Sequence, residues 1–130
     1  MLKIAVTSIL VDDQDKAEAF YTDVLGFQKK QDFPVGGARW LTVVTPGAEN
    51  GTELLLEPMG YEFARTYQKA LYDAGVPCTT FASEDVWADY ERMSAKGVTF
   101  RGEPSQAEGF PTTAVFEDTC GNLVQIFEEA

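Results

Sequence analysis

The stretch "VDDQDKAEAFYTDVLGF", Val11–Phe27, decides the fold: an apolar run ends, an acidic corner follows, and an amphipathic helix closes on a glycine. Asp13 or Asp15 can cap the helix, and Ala17, Phe20, Tyr21, Val24 and Leu25 make its buried stripe. Gly26 is the expected left-handed residue after the last turn. Upstream, Lys3 to Val11 alternates as a strand. Val6, Ser8 and Leu10 lie on one face with Ile4, and Ala5, Thr7, Ile9 and Val11 lie on the other.

Downstream, "RWLTVVT" (Arg39 to Thr45) and "TELLLE" (Thr52 to Glu57) read as strands separated by the turn-rich "PGAENG". By alternation Trp40, Thr42 and Val44 share one face, and Arg39, Leu41 and Val43 the other. Glu62 to Ala74 is helical, with Phe63, Tyr67, Ala70, Leu71 and Ala74 on one face and Gly75 as its stop. The last third predicts a strand near Cys78–Ser83 and a helix from about Val86 to Ala95. Strands follow near Val98–Arg101, Thr112–Glu117 and Leu123–Glu128.

These elements form an internal duplication. Asp13 leads into a helix that stops thirteen residues later at Gly26, and Asp85 into one that stops twelve residues later at Gly97. Each half then runs to a glycine turn and a final apolar strand, "GTELLLE" from Gly51 and "GNLVQIF" from Gly121. Superposed, Val6 matches Cys78, Asp13 matches Asp85, Gly51 matches Gly121 and Leu55 matches Gln125. The repeat unit is strand–helix–strand–strand–strand. The chain is therefore an α+β protein, read as one domain over residues 1–130, with a first module at 1–58, a helical linker at 59–76 and a second module at 77–130.

Composition narrows the function classes. A net charge of −11 excludes a surface built to bind nucleic acid, because phosphate recognition uses Lys and Arg. No apolar run approaches the ~18 residues of a membrane span, and Met-Leu-Lys-Ile has no signal-peptide shape, so cytoplasmic residence is expected. Cys78 and Cys120 are expected to be two reduced thiols. The chain has no histidine, which removes the commonest general base and the commonest metal ligand.

"VDDQDKAEAFYTDVLGF", "EDVWADYERMSAKGVTF" and "FEDTCGNLVQIFE" together resemble the vicinal oxygen chelate superfamily, the group of glyoxalase I, extradiol dioxygenases and bleomycin-resistance proteins. The resemblance covers about Lys3 to Glu128. It implies two tandem βαβββ modules whose curled mixed sheets surround a shared cleft, commonly in a homodimer. In metal-using members, four strand positions supply histidine or carboxylate ligands. The metal then chelates two adjacent substrate oxygens and stabilises the charge that develops on them. Carried onto this chain, the first position lies seven residues before the capping aspartate, which is Val6. Its mate before Asp85 is Cys78, and the duplication puts the other two at Leu55 and Gln125.

Val6 and Leu55 cannot bind a metal, and one thiol beside one amide falls short of the three protein ligands usual for such a site. No cofactor is expected, and no divalent metal. Glu53 and Glu57 share the parity of Leu55 and are the candidate carboxylates for any metal-free acid–base role. The expected cleft residues are Val6, Ser8, Trp40, Leu55, Glu57, Cys78, Thr80 and Gln125. Three readings follow: a metal-free protein that binds and sequesters a small organic molecule, a lyase or isomerase related to glyoxalase I with a displaced ligand set such as Glu57, Cys78 and Gln125, or a non-catalytic dimeric or regulatory module. Whether the chain is an enzyme stays open at this stage. No nucleic acid or membrane partner is expected.

Overall fold

A computed structural model describes all of residues 1–130. The chain divides into two compact units, Met1–Arg65 and Thr66–Ala130. The first contains β1 (Val6–Val11), α1 (Gln14–Ala19), a π-helical turn (Phe20–Val24), β2 (Gln28–Val35), β3 (Ala38–Val44) and β4 (Glu53–Pro58). A linking helix α2 (Glu62–Asp73) crosses the boundary. The second unit holds β5 (Thr79–Ser83), α3 (Val86–Ala95), β6 (Thr113–Glu117) and β7 (Leu123–Glu128).

Sheet one has the order β1-β4-β3-β2, and sheet two the order β5-β7-β6. Both modules use the same pairing. β1 runs parallel to β4 with Ser8 opposite Leu55, and β5 runs parallel to β7 with Thr80 opposite Gln125. The strand before each closing strand pairs with it antiparallel. Both helices start at an aspartate, Asp13 accepting from the Lys16 N–H and Asp85 from the Ala88 N–H, each at 3.0 Å. N-capping thus explains both aspartates. Asp15 does not cap; it pairs with Arg39.

Each helix covers one face of its own sheet. In the first unit Ala17, Phe20 and Tyr21 are buried together with Ile9, Val11, Leu41, Val43 and Leu56, the outward parity set of their strands. In the second, Val86 and Met93 are buried along with Ala114, Phe116, Val124 and Ile126. Alternation alone produces these two cores.

Three details differ from the sequence reading. β1 begins at Val6 rather than Lys3, with residues 1–5 exposed. β2 was not anticipated, because "QKKQDFPV" is polar and contains a proline. It is an edge strand, where Pro34 displaces no interior ladder bond. The expected strand at Val98–Arg101 is reduced to isolated bridges, Phe100 with Phe116 and Ser105 with Thr113. Gly102 at φ 96° and Pro104, which has no N–H, break the ladder between them. Trp87, on α3, is about half exposed and meets Tyr90 edge-on at 5.7 Å.

The helix side of sheet one carries an ion cluster. Arg39 reaches Asp15 at 2.6 Å and Asp32 at 2.8 Å and also pairs with Glu18, while Lys29 joins Glu18 and Asp32 at 3.0 and 3.1 Å. Hydrogen bonds from Arg39 and then Lys29 hold the Asp32 carboxyl at about 2, and the same two cations lower Glu18. Because these folded-state values lie below the unfolded ones, the stabilisation is complete above the ordinary carboxylate range and is lost as pH falls through it. Arg39→Met is accordingly expected to lower Tm at pH 6, with the difference from wild type shrinking between about pH 4.5 and 2. A difference that stays constant over that range in a thermal-melt series would refute the pairing.

Candidate functional site

The face of sheet one away from α1 is assembled by register. Thr42 lies opposite Leu55, Ser8 opposite Leu55 on the other side, Val6 opposite Glu53, Phe33 opposite Trp40, and Gln31 opposite Thr42. Val6, Ser8, Trp40, Leu55, Glu53 and Glu57 therefore share one face, as their parity predicted. Phe33 and Trp40 stack at 6.5 Å with 25° between the rings, and Phe33 is 46% exposed. Val6 and Ser8 are exposed, Trp40, Glu53 and Glu57 half-buried, and Leu55 buried.

Within this apolar and aromatic surface sits a hydrogen-bonded carboxylate. Thr42 Oγ1 donates to Glu53 Oε1 at 2.7 Å, and Gln31 Nε2 donates to the same oxygen at 2.6 Å. The Gln31 N–H in turn donates to Thr42 Oγ1 at 3.1 Å, which commits the hydroxyl hydrogen to Glu53. The hydrogen bonds from Gln31 and Thr42, with the charge of Lys30 assisting against desolvation, lower the Glu53 carboxyl below its ordinary value. Glu53 is therefore an ionised, oriented anion rather than a proton-holding base.

Sequence reasoning missed Gln31 and Phe33 because it missed β2. The overlooked signal is Gly36–Gly37, at φ 51° and 83°, between Val35 and its partner Ala38. Two consecutive left-handed glycines make the two-residue hairpin that brings β2 back along β3.

On sheet two, Thr80 and Gln125 are cross-strand partners with Oγ1 and Oε1 3.4 Å apart, and Val115 flanks Gln125 on its other side. Cys78 continues the parity of Thr80, and its N–H donates to Leu123 O at 2.9 Å. Burial, and then the charge of Asp118, push the Cys78 thiol up to about 12. A thiol held protonated at neutral pH is a poor nucleophile. At the end of the same strand pair Glu117 accepts from the Tyr72 hydroxyl, while Arg101 lies 5.1 Å over the Tyr72 ring and 3.8 Å from Glu117.

The turn between β6 and β7, "DTCGN", is a polar knot. Asp118 Oδ1 accepts the N–H groups of Cys120 and Asn122 at 2.8 and 3.0 Å, and Asp118 Oδ2 accepts Asn122 Nδ2 at 2.8 Å. Gln68 from α2 donates to Cys120 O and Asn122 Oδ1 at 3.0 and 3.1 Å. Gln68 and Ala64 are thus the buried positions of α2, while Phe63 and Tyr67 of its apolar stripe are 71% and 60% exposed. Asp118 and Cys120 hold the turn together.

A surface cavity of about 460 Å³ opens elsewhere, on the helix side around Gln14, Pro34, Gly37 and Arg39. Gln14 is committed there to Arg39 O and Leu56 O, and Arg39 to its carboxylates, so no free functional group converges on it.

The residues at the four ligand positions implied by the family resemblance, Val6, Leu55, Cys78 and Gln125, do not fit a divalent metal. Two are hydrocarbon, one is a lone thiol and one is a neutral amide, short of the three protein ligands such a site uses. Within neither unit do three Cys, Asp or Glu side chains gather with the spacing of metal ligands.

Comparison with known proteins agrees with this architecture. The Glyoxalase/Bleomycin resistance protein/Dioxygenase superfamily profile matches residues 3–126. The Bacillus subtilis (strain 168) protein YurT is 52% identical over 128 residues, covering 98% of this chain and 100% of YurT. Among solved structures, UcmS2 is 32% identical with a TM-score of 0.84 over 99% of both chains. TnmS3, an antibiotic-binding protein from Streptomyces sp. CB03234, is 26% identical with a TM-score of 0.78, over 100% of this chain and 98% of that one. With a βαβββ first unit, a second unit of the same pairing in which one strand is reduced to isolated bridges, and this match over nearly its whole length, the chain belongs to the Glyoxalase/Bleomycin resistance protein/Dioxygenase superfamily.

Proposed function

We propose that this protein binds and sequesters a small organic molecule without a metal ion, as a homodimer in the cytoplasm. The observation that carries the reading is the open face of sheet one. There the positions a metal-using relative needs are hydrocarbon, while Trp40 and Phe33 add a stacked aromatic surface. Such a surface with a few oriented polar groups is what an organic ligand site requires. On sheet two, Thr80 and Gln125 add an uncharged hydrogen-bonding pair suited to a hydroxyl or carbonyl group. The likeness to an antibiotic-binding protein supports the same reading. Lewis-acid lyase or isomerase chemistry has little support in these side chains, because Val6 and Leu55 are hydrocarbon and Gln125 offers one neutral carbonyl oxygen.

The test is direct. Protein purified without chelator should carry far less than one divalent ion per chain, and added Ni²⁺, Zn²⁺ or Co²⁺ should leave Tm unchanged, since a bound ion would raise it. A stoichiometric ion by elemental analysis, lost with Gln125→Ala, would overturn the proposal.

A further inference from the structure

We infer that Glu53 makes the open face of sheet one selective for a planar aromatic ligand whose edge carries a positive charge. This rests on the small-molecule reading above and names the ligand class for that site.

Three observations converge on it. The carboxylate is fixed in place, because both donors, Gln31 Nε2 and Thr42 Oγ1, bind the single oxygen Oε1 at 2.6 and 2.7 Å. That leaves Oε2 as the acceptor for an incoming group, already oriented before the ligand arrives. No ion pair neutralises the charge: Lys30 acts on Glu53 only at longer range, and Lys29 and Arg39 are committed to Glu18, Asp32 and Asp15. A half-buried carboxylate with no cation within ion-pair distance favours a ligand that brings one.

The aromatic contribution comes from the same face. Trp40 and Phe33 present a stacked pair, and an aromatic cation gains from both stacking and the attraction of a cation to an indole ring. Thr42, opposite Leu55, binds Glu53 Oε1 and lies two strand positions from Trp40, so the carboxylate stands roughly 7 Å along the face from Trp40. A fused three-ring skeleton stacked at Trp40 bridges that interval with its edge group at the carboxylate. Glu57, level with Trp40 by the same register, adds negative charge at the other end.

Three flat three-ring probes of different charge separate the possibilities: 9-aminoacridinium (cationic), acridone (neutral) and anthraquinone-2-sulfonate (anionic). Binding is measured by calorimetry, with quenching of Trp40 in a Trp87→Phe background reporting the location. The expected result is binding of the cation about tenfold tighter than acridone at low salt, the sulfonate weakest, and all three weakened by Trp40→Ala. Glu53→Gln keeps an acceptor oxygen for Gln31 and Thr42 while removing the charge, and should bring the cation-to-neutral ratio to within about twofold. A wild-type series to 1 M NaCl serves as a second readout that needs no variant, and the ratio should fall along it. A ratio unchanged by both Glu53→Gln and salt, with Trp40-dependent binding retained, overturns the charge selectivity and leaves the small-molecule reading standing. Binding of none of the three probes overturns both.

Discussion

Asp118→Ala is expected to destabilise the protein by about 4 kcal/mol, the largest effect of any single substitution considered. Asp118 is fully buried and accepts two backbone N–H groups and one side-chain N–H across the "DTCGN" turn. Alanine would leave the Cys120 and Asn122 N–H groups without that acceptor in the protein interior, at about 1–3 kcal/mol each. Asp118→Asn probes a subtler point. A carboxylate only accepts, which orients the Asn122 amide with Nδ2 towards Asp118 and Oδ1 towards Gln68. An asparagine at 118 keeps Oδ1 for the two backbone groups but turns an NH₂ towards Asn122 Nδ2. Relieving that clash flips Asn122 and confronts the Gln68 Nε2 with another donor. An intermediate loss of about 2 kcal/mol is expected from urea unfolding. An Asp118→Asn protein as stable as wild type would show that the amide orientations are not coupled.

Gly121→Ala is expected to cost about 3 kcal/mol, from two sources that can be separated. Gly121 has φ 96°, which L-residues rarely adopt, and a Cβ there would stand 2.6 Å from Gln68 Oε1 and 2.8 Å from its Cδ. The Gln68 side chain cannot swing aside freely, because its Nε2 is tied to Cys120 O and Asn122 Oδ1. Gly26 is the internal control: it has φ 88° with nothing within 4 Å of an added Cβ. Gly26→Ala should therefore show only the conformational part, about 1–2 kcal/mol. Combining Gly121→Ala with Gln68→Ala should be less destabilising than the sum of the two single changes, since truncation removes the clash. Strict additivity in the double-mutant cycle would contradict the contact.

Both substitutions act on a motif that carries the family resemblance through its turn structure. The aspartate and glycine of "DTCGN" build the turn that starts β7, and β7 carries Gln125 to the open face of sheet two. The same holds at the other end of the chain. In "VDDQDKAEAFYTDVLGF" Asp13 caps α1, Phe20 and Tyr21 pack, and Gly26 ends the helix, while Val6, seven residues before Asp13, occupies a position where metal-using relatives need a ligand.

Elements whose cause is local could be read from the residues alone. Asp13 and Asp85 announced their helices, alternation placed Trp40, Thr42, Leu55 and Glu53 correctly on their strands, and the similar spacing of the two halves matched Leu55 with Gln125. The α+β class and the family follow from these, because capping, periodicity and turn glycines depend on near neighbours in sequence. What depends on strand pairing could not be read in the same way. β2 carries no apolar alternation and is held in place by β3 across the Gly36–Gly37 turn. The Gln31–Thr42–Glu53 network joins residues 11 and 22 positions apart, so the environment that turns Glu53 from one of two exposed-looking glutamates into a fixed anion exists only once the sheet has formed. The same is true of Cys78, whose thiol is raised by burial and by an aspartate forty residues away in the chain. Sequence determined the scaffold and the unsuitability of its four key positions for a metal; tertiary structure decided which carboxylate is poised, because hydrogen bonding and desolvation are properties of the assembled sheet.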